Sequence, residues 1–207
     1  FALFCSISCG KKTKSDSNRT FYYNEPDGLS TLDPATTSYK AAIWAGSQIF
    51  NGLVELDSSL NFVPCLAKSW EVDTAGVVWT FHIRTDISFH ENKCFGEQKT
   101  RRLNARDVKF SFERICDARV KSTGLWIFRN RLVGAEEFNK ATSQNQPTDG
   151  ISGITVVNDS TVQLRLEKPF APLLSLLTMP YCWIIPHEAI DLYKTDFYKH
   201  PIGTGAF

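Results

Sequence analysis

Residues 76–89 read GVVWTFHIRTDISF, and apolar and polar side chains alternate along them. The large apolar side chains of Trp79, Phe81 and Ile83 fall on one face of an extended chain, and polar side chains fall between them. Alternation over this length is typical of a strand with one buried and one solvated face. We therefore predict a half-buried β-strand at this point.

A helix is predicted downstream, in residues 103–117, LNARDVKFSFERICD. Its apolar face carries Val108, Phe112 and Ile115 at helical spacing. Asn104 is a suitable N-cap, and Asp107, three residues later, can reach back toward it, as in a capping box. We interpret the basic run KTRR just before the helix (99–102) as a solvated loop and helix start, since the chain as a whole is close to neutral.

Further strands and helices surround this pair. Residues 151–166 contain two β-branched runs joined at Asn158-Asp159-Ser160, which predicts a β-hairpin. The remaining predicted elements are strands in 20–24 and 53–57 and helices in 124–142, in 171–179 and after Pro186. Strands and helices mix without a regular βαβ repeat. We therefore predict a mixed α/β (α+β) fold with an antiparallel portion.

The segment 38–52 predicts another helix. Ser38 is the predicted N-cap, and Asn51-Gly52 is the predicted end of the helix. The face expected to be buried carries Ala41, Ala42, Ala45, Ile49 and Phe50.

Composition narrows the functional classes. Of the 207 residues, 43% are hydrophobic, enough to build a core, and 13% are aromatic, a type that also lines ligand clefts. The 23 basic and 22 acidic residues nearly cancel, which argues against a broad nucleic-acid-binding face. No stretch approaches the roughly 20 apolar residues of a membrane-spanning helix.

The first twenty residues, FALFCSISCGKKTKSDSNRT, pass abruptly from apolar and small to polar and charged. We interpret residues 1–19 as the remnant of an apolar targeting segment followed by a flexible tether. The change falls just after Cys9, with Ser8 before it, as in a bacterial lipoprotein signal, whose cysteine is lipidated. Ser6 departs from the leucine usual in that signal. The alternative is an N-terminus with incidental cysteines.

Motifs for catalysis or metal binding are missing from the sequence. G-x-S-x-G, H-E-x-x-H and Walker A do not occur. His90 and Cys94 stand four residues apart, but two ligands are too few for a metal site, and we interpret this segment as a surface turn. For Gly203-Thr204-Gly205, a phosphate-binding loop is one interpretation. We predict instead a turn in which glycines allow tight packing. We expect no catalytic residues, no metal and no cofactor.

Four cysteines remain beyond the first residues: Cys65, Cys94, Cys116 and Cys182. They show no C-x-x-C spacing, which argues against a structural zinc site. They allow three disulfide pairings, and the sequence does not choose among them. For Cys65 and Cys182, which lie in apolar runs, a buried free thiol is the better interpretation.

Six stretches carry a family resemblance: STLDPATTS (30–38), IFNGLVELDSSLNFVPCLAKSWEV (49–72), WTFHIRTDISFHE (79–91), LNARDVKFSFERI (103–115), DGISGITVVNDSTVQLRLEKPFAPLLSLLTMP (149–180) and HPIGTGAF (200–207). In this order they resemble bacterial extracellular solute-binding proteins, of the group that feeds peptide, dipeptide and nickel ABC importers. Each motif alone is weak, and their shared order is the specific signal. Two features depart from the family pattern: Ala206 replaces a proline, and the loop 90–104 is longer than usual.

The resemblance implies a periplasmic-binding-protein-like fold, in which two lobes close on a ligand. Residues 20–55 and 180–207 would form an incomplete lobe one, and residues 56–179 a small α+β domain inserted into it. The second lobe is expected to be absent from these 207 residues, because family members are much longer.

The segment after Leu-Asp-Pro faces the cleft in the resembled family. Carried over by position, the expected ligand-binding residues are Thr36, Thr37, Ser38 and Tyr39. Short hydroxyl groups can orient a peptide backbone, and an aromatic ring supplies apolar contact. The alternative is that Ser38 only caps a helix and Tyr39 only packs.

The resemblance further implies a substrate-binding protein of an ABC importer, which binds oligopeptides or dipeptides and delivers them to a membrane permease. We expect it at the periplasmic or extracellular face of a bacterial cell envelope, held by a lipid on Cys9, without enzyme activity and without nucleic-acid binding. The alternatives are a nickel or metal-chelate carrier of the same family, a hydrolase, and a non-transport peptide sensor or adhesin.

Overall fold

The computed structural model describes residues 28–207. The predicted leader and tether (1–19), the lipidation candidate Cys9 and the strand predicted in 20–24 lie outside the described residues. Within that range the strands are Val54–Leu56 (β1), Phe62–Pro64 (β2), Ala67–Val72 (β3), Val78–Ile83 (β4), Ile154–Asn158 (β5) and Thr161–Arg165 (β6). The α-helices are Lys40–Ile49 (α1), Ala105–Cys116 (α2), Ala135–Ser143 (α3), Leu173–Leu177 (α4) and His187–Tyr193 (α5). The predicted mixed α/β fold is confirmed.

Four strands form one antiparallel sheet in the order β3-β4-β6-β5, while β1 and β2 form a separate hairpin. In β4, Phe81 pairs with Trp70 of β3 on one side and with Val162 of β6 on the other. The side chains of Trp79, Phe81 and Ile83 are buried. The half-buried strand predicted from their alternation is therefore confirmed.

The predicted hairpin is formed by β5 and β6. Val156 pairs with Val162 across it, and the chain reverses at Asp159 and Ser160. The side chain of Asn158 accepts a hydrogen bond from the Ser160 amide at 2.9 Å. This local bond favours the turn, as asparagine side chains do where the chain reverses.

Helix α2 begins with the predicted capping box. The Asn104 side chain accepts a hydrogen bond from the Arg106 amide at 2.8 Å, and the Asp107 carboxylate accepts one from the Asn104 amide at 2.9 Å. The predicted face of Val108, Phe112 and Ile115 is fully buried, and α2 packs against β5 and β6. Two independent sequence signals, the cap and the apolar spacing, thus agree with the structure.

The start of helix α1 differs from the prediction. The helix begins at Lys40, and Tyr39 is its N-cap, with no side-chain capping bond. Ser38 as the N-cap is therefore wrong, because the backbone of Tyr39 is still extended and its carbonyl oxygen accepts the first helical bond, from Ile43. The helix also ends at Ile49, before the predicted Asn51-Gly52.

The inner face of α1 is narrower than predicted. Within the helix only Ala42 and Gly46 are buried, whereas Ala41, Ala45 and Ile49 are half-buried. A Cβ atom at Gly46 would lie 2.4 Å from the ring of Trp183. The absent side chain lets that ring lie against the helix, where it stacks on Phe50 with ring centres 5.7 Å apart.

Buried hydrophobic side chains of the described residues pack into one core cluster. It joins residues on both sides of the predicted domain boundaries, such as Phe50 and Trp183 on one side and Phe112 and Phe128 on the other. The division into lobe one (20–55 and 180–207) and an inserted domain (56–179) stays a prediction. No helix formed by residues 28–207 combines the length and apolar character needed to cross a membrane.

The four cysteines of the described chain are free thiols. Cys182 is fully buried, as predicted, and so is Cys116. Cys65 is half-buried rather than buried, and its thiol donates a hydrogen bond to Glu55 at 2.9 Å. Burial, together with this carboxylate, raises the pKa of Cys65 to about 12. A thiol with so high a pKa is a poor nucleophile at neutral pH.

The interpretation of residues 99–102 as a solvated loop is wrong for Arg101. Its guanidinium donates to Asp107 at 2.6 and 2.8 Å and to Glu188 of α5 at 2.5 and 2.7 Å. The same group lies 5.1 Å from the ring centre of Phe89 and 5.6 Å from that of Phe95. Arg101 therefore ties the long loop, α2 and α5 together.

The ion pairs of Arg101 with Asp107 and Glu188 shift the pKa values of Arg101 and Glu188. Burial would lower the pKa of Arg101, but the hydrogen bonds that Arg101 donates to Asp107 and Glu188 outweigh it and raise that pKa. Burial would raise the pKa of Glu188, but the hydrogen bonds from Arg101 outweigh it and lower that pKa. The folded state therefore favours ionised Glu188, and this stabilisation is present above the carboxyl's ordinary pKa of 4.5 and is lost as the pH falls through the lowered value.

We predict that Arg101→Gln lowers the free energy of unfolding by about 3 kcal/mol at pH 7, because it leaves the buried carboxylate of Asp107 without its cation. Urea denaturation followed by circular dichroism measures this. The matched control is Arg106→Gln, whose ion pair with Asp159 is exposed at both ends. The control should cost less than about 1 kcal/mol. Equal losses of unfolding free energy in the two variants would contradict the role of Arg101 as the cation of a buried cluster.

We further predict that the difference in stability between wild type and Arg101→Gln narrows as the pH falls well below 4.5, the ordinary pKa of a glutamate. Protonated Glu188 no longer attracts Arg101, so the wild type loses a contribution that the variant has already lost. The measurement is the same urea titration repeated at acidic pH. A gap that stays constant with pH would contradict this prediction.

Candidate ligand-binding site

The predicted ligand-binding residues lie in and just after a short 3₁₀ turn, Pro34–Thr36. Asp33 caps this turn, since its carboxylate accepts a hydrogen bond from the Ala35 amide at 3.0 Å. The Asp33 amide in turn donates to the Thr31 hydroxyl at 3.1 Å. The Leu-Asp-Pro sequence thus builds its own turn: the aspartate caps it, and proline is the first residue within it. We call residues 31–39 the site loop.

An ion pair joins the site loop to α2. Both carboxylate oxygens of Asp33 accept hydrogen bonds from Arg114, at 2.7 and 2.6 Å. The two side chains are only 11% and 12% exposed, so the pair is largely removed from water. The guanidinium also lies 5.6 Å from the ring centre of Phe197. Two parallel bonds fix direction as well as distance, so the loop has one orientation on the helix.

Two further bonds hold the main chain of the site loop. The Ser122 hydroxyl donates to the carbonyl oxygen of Ala35 at 2.6 Å. The Leu32 amide donates to the carbonyl oxygen of Tyr198 at 3.2 Å. The loop is therefore attached to the segment after α2 and to the 3₁₀ segment Lys194–Lys199 after α5.

The four predicted residues differ in exposure. Ser38 and Tyr39 are exposed, and the Tyr39 side chain is 68% accessible. Thr36 is half-buried, and its hydroxyl bonds within the loop, to the Asp33 carbonyl and the Thr31 hydroxyl. Thr37 is buried, at 2% accessible. Ser38 and Tyr39 are therefore the two that present side chains to solvent.

The hydroxyl of Thr37 has no hydrogen-bond partner among residues 28–207. A buried hydroxyl without a partner costs about 1–3 kcal/mol. Thr37 thus offers no exposed donor to a ligand.

Two residues of this surface were not predicted from the sequence. Lys40 and Trp44 follow Tyr39 on the outer side of α1, and the Trp44 side chain is 54% exposed. The Lys40 ammonium lies 4.8 Å from the centre of the Trp44 ring. Their spacing of four residues is that of neighbours on a helix, and this spacing was the available signal. We call Ser38, Tyr39, Lys40 and Trp44 the exposed strip.

The terminal Gly-Thr-Gly is a packing turn, as predicted. A Cβ atom at Gly203 would lie 2.0 Å from the carbonyl oxygen of Ile49, and one at Gly205 would lie 2.4 Å from that of Gln48. The Gly205 amide donates to the Ile49 carbonyl at 2.8 Å. The glycines therefore let this turn lie directly against the end of α1.

His90 is hydrogen-bonded to this turn. Its backbone amide donates to the Gly203 carbonyl at 2.9 Å, and its Nε2 atom lies 2.9 Å from the Gly205 carbonyl oxygen. The Gly203 amide donates to His90 Nδ1 at 3.4 Å. Both ring nitrogens are thus engaged with main-chain groups.

One cluster in the described part of the chain has the spacing of a metal site: Asp107, His187 and Glu188. Both carboxylates already bind Arg101, as described above. A guanidinium between two carboxylates supplies the positive charge that a metal ion would bring. The cluster is therefore compensated by the protein itself.

Residues 61–207 match the model described as bacterial extracellular solute-binding proteins, family 5 Middle.

Relatives match over most of the chain. Heme-binding protein A of Haemophilus influenzae is 33% identical over 217 residues, which cover 98% of this chain and 37% of the relative. The dipeptide-binding protein of Escherichia coli is 34% identical over 191 residues, which cover 88% of this chain and 33% of the relative. The chain therefore spans about a third of the length of these relatives.

Solved structures show the same fold. The binding protein DppA of Helicobacter pylori, in complex with the peptide STSA, gives a TM-score of 0.69 at 26% identity, covering 86% of this chain and 34% of that one. OppA of Listeria monocytogenes, bound to peptide, gives a TM-score of 0.74 at 18% identity, covering 86% of this chain and 33% of that one. The periplasmic-binding-protein-like fold expected from the sequence is confirmed.

We predict that Gly203→Ala lowers the free energy of unfolding by about 1–3 kcal/mol, because the added methyl group meets a main-chain oxygen that cannot rotate away. Thermal unfolding of wild type and variant measures this. Gly52→Ala is the comparison: its added Cβ would come no closer than 3.3 Å to another atom. The structure requires the larger loss at Gly203, and the reverse order would contradict the packing role of the turn.

Proposed function

This chain belongs to family 5 of the bacterial extracellular solute-binding proteins, and we propose that the protein captures peptides for an ABC importer. The observation that carries the proposal is the exposed strip, which presents an aromatic and hydroxyl surface on a loop fixed by a buried ion pair. The family consists of binding proteins, and the two structural relatives described above carry bound peptides.

The exposed strip has the chemistry for a peptide. The Ser38 hydroxyl can donate to or accept from a peptide main chain, and the rings of Tyr39 and Trp44 can cover its side chains. The Lys40 ammonium adds a positive charge suited to a carboxylate. Thr36 braces the loop through its hydroxyl bonds to Asp33 and Thr31, and Thr37 fills a buried position of the same loop. In this proposal all four residues carried over from the family take part, two by contact and two by support.

The remaining parts of the proposal concern the whole protein. We propose that a second lobe closes over the exposed strip and that the closed form delivers peptide to a membrane permease, at the periplasmic or extracellular face of the envelope. A lipid on Cys9 would hold the protein at the membrane. The change from apolar to polar sequence after Cys9 supports this anchor.

Two other solutes are the competing candidates. One relative is named as a heme-binding protein, and a nickel or metal-chelate carrier was an alternative from the sequence. Neither histidine nor cysteine occurs in the exposed strip, where Ser38, Tyr39, Lys40 and Trp44 stand. Peptide is therefore the better match to this surface. The same surface would suit a peptide sensor that takes no part in transport.

Calorimetric titration tests the proposed function. The full-length protein is titrated with a di- and tripeptide mixture, with hemin and with a nickel chelate. We expect micromolar or tighter binding of peptide and no comparable binding of the other two. We also expect the 207-residue chain alone to bind peptide weakly or not at all, because a closing ligand site needs contacts from both lobes. Micromolar binding by the 207-residue chain would contradict the second expectation.

A substitution tests the exposed strip itself. We predict that Tyr39→Ala weakens peptide binding by the full-length protein at least about ten-fold. A bound peptide would cover the ring of Tyr39, and burying an aromatic side chain in this way is worth more than about 1.4 kcal/mol. The melting temperature should stay unchanged, because Tyr39 is 68% exposed. Phe62→Ala, at an exposed aromatic in β2, is the matched control and should leave affinity unchanged. Equal effects of the two substitutions would exclude a specific role for the strip.

A further inference from the structure

We propose that the protein has a second binding site, for a small anion carried on a flat apolar ring. The site is a surface cavity of about 440 Å³ between the turn at 126–131 and the segment that follows β6. Its walls are Trp126, Arg129, Asn130, Arg131, Lys168 and Phe170. None of these residues belongs to the site loop or the exposed strip, so the proposal does not depend on the peptide-binding function.

The cavity carries an excess of positive charge. Three of its six lining residues are cationic, and none is acidic. Arg129 is compensated by Glu136 at 2.8 Å. Arg131 and Lys168 have no carboxylate within ion-pair distance among residues 28–207. Two uncompensated cations at one concave surface favour a ligand of opposite charge.

Arg131 is held in place before any ligand arrives. Its Nη1 atom donates to the carbonyl oxygen of Trp126 and, at 3.4 Å, to that of Ile127. The guanidinium lies 5.0 Å from the ring centre of Phe170. These contacts use one of its terminal nitrogens and leave the Nε and Nη2 hydrogens, the edge that binds an oxyanion through two parallel bonds.

The backbone keeps the two walls at a fixed distance. The Glu167 amide donates to the Arg131 carbonyl oxygen at 2.8 Å, and Leu132 forms a β-bridge with Leu166. Asn130, at the bend of the turn, has a positive φ of 59°. The turn and the segment after β6 are therefore one unit, and the cavity between them is preformed.

The aromatic residues define the rest of the ligand. The Trp126 side chain is 44% exposed, and Phe170 is half-buried beneath Arg131. Two rings beside a guanidinium suit a planar apolar group that bears a carboxylate or a phosphate. A cavity of this size falls in the range that small ligands occupy. Arg131 would bind the anion bidentately, and Lys168 would act as a second point charge.

Calorimetric titration of the full-length protein uses three matched probes: 2-naphthoate, 2-naphthyl phosphate and the neutral 2-naphthalenemethanol. We expect both anions to bind saturably, and the neutral probe at least about ten-fold more weakly, because charge-assisted hydrogen bonds are lost. The stronger of the two anions identifies a carboxylate or a phosphate ligand. Equal binding of the neutral and anionic probes, or no saturable binding of either anion, would overturn the proposal.

Charge reversal locates the site. Lys168→Glu should weaken binding of the preferred anion at least about ten-fold, and since Lys168 is exposed, the variant should fold normally, as circular dichroism can verify. Lys68→Glu, at an exposed position in β3 outside the cavity, is the matched control and should leave affinity unchanged. Similar losses in both variants would assign the effect to overall charge and overturn the site. Peptide affinity should be the same in all three proteins.

Discussion

The buried ion pair between Asp33 and Arg114 is the constraint on which the candidate site depends. Asp33 bonds the guanidinium with both oxygens and also caps the turn that follows it. Separating the pair would leave a charge in a poorly hydrated place, which is strongly unfavourable. Because Arg114 lies on α2 and the other face of α2 packs on the sheet, the position of Tyr39 is fixed relative to the sheet.

Elements whose signals are local could be predicted from the sequence. The strand β4 follows from the alternation of Trp79, Phe81 and Ile83, and the start of α2 follows from Asn104 and Asp107, which lie within one turn of each other. The role of Arg101 could not be found in this way. Its partner Glu188 is 87 residues away, and a basic run in a neutral chain gives no indication of such a contact.

The sequence placed the candidate site only through the family resemblance, and it gave none of the detail of the site. The family resemblance indicated residues 36–39, and the structure brings them together on one fixed loop. It did not indicate which side chains reach solvent, because that depends on how the loop lies on α2. The prediction of Ser38 as the N-cap failed for a related reason. The loop remains extended through Tyr39, so the helix starts one residue later than predicted. That these residues bind a ligand stays a prediction.

The packing of α1 favours a contact surface on its outer side. Glycine within a helix costs roughly 0.5–1 kcal/mol relative to alanine, yet Gly46 occupies the inner face, where it admits the ring of Trp183. The largest side chain of the helix, Trp44, is on the outside and 54% exposed. An ordinary surface helix directs its large apolar residues inward. In α1 the fully buried residues are Ala42 and Gly46, while Ile43 and Ile49 pack partly against the core. The large ring of Trp44 is left exposed, and in the proposed function a ligand or a closing lobe would cover it.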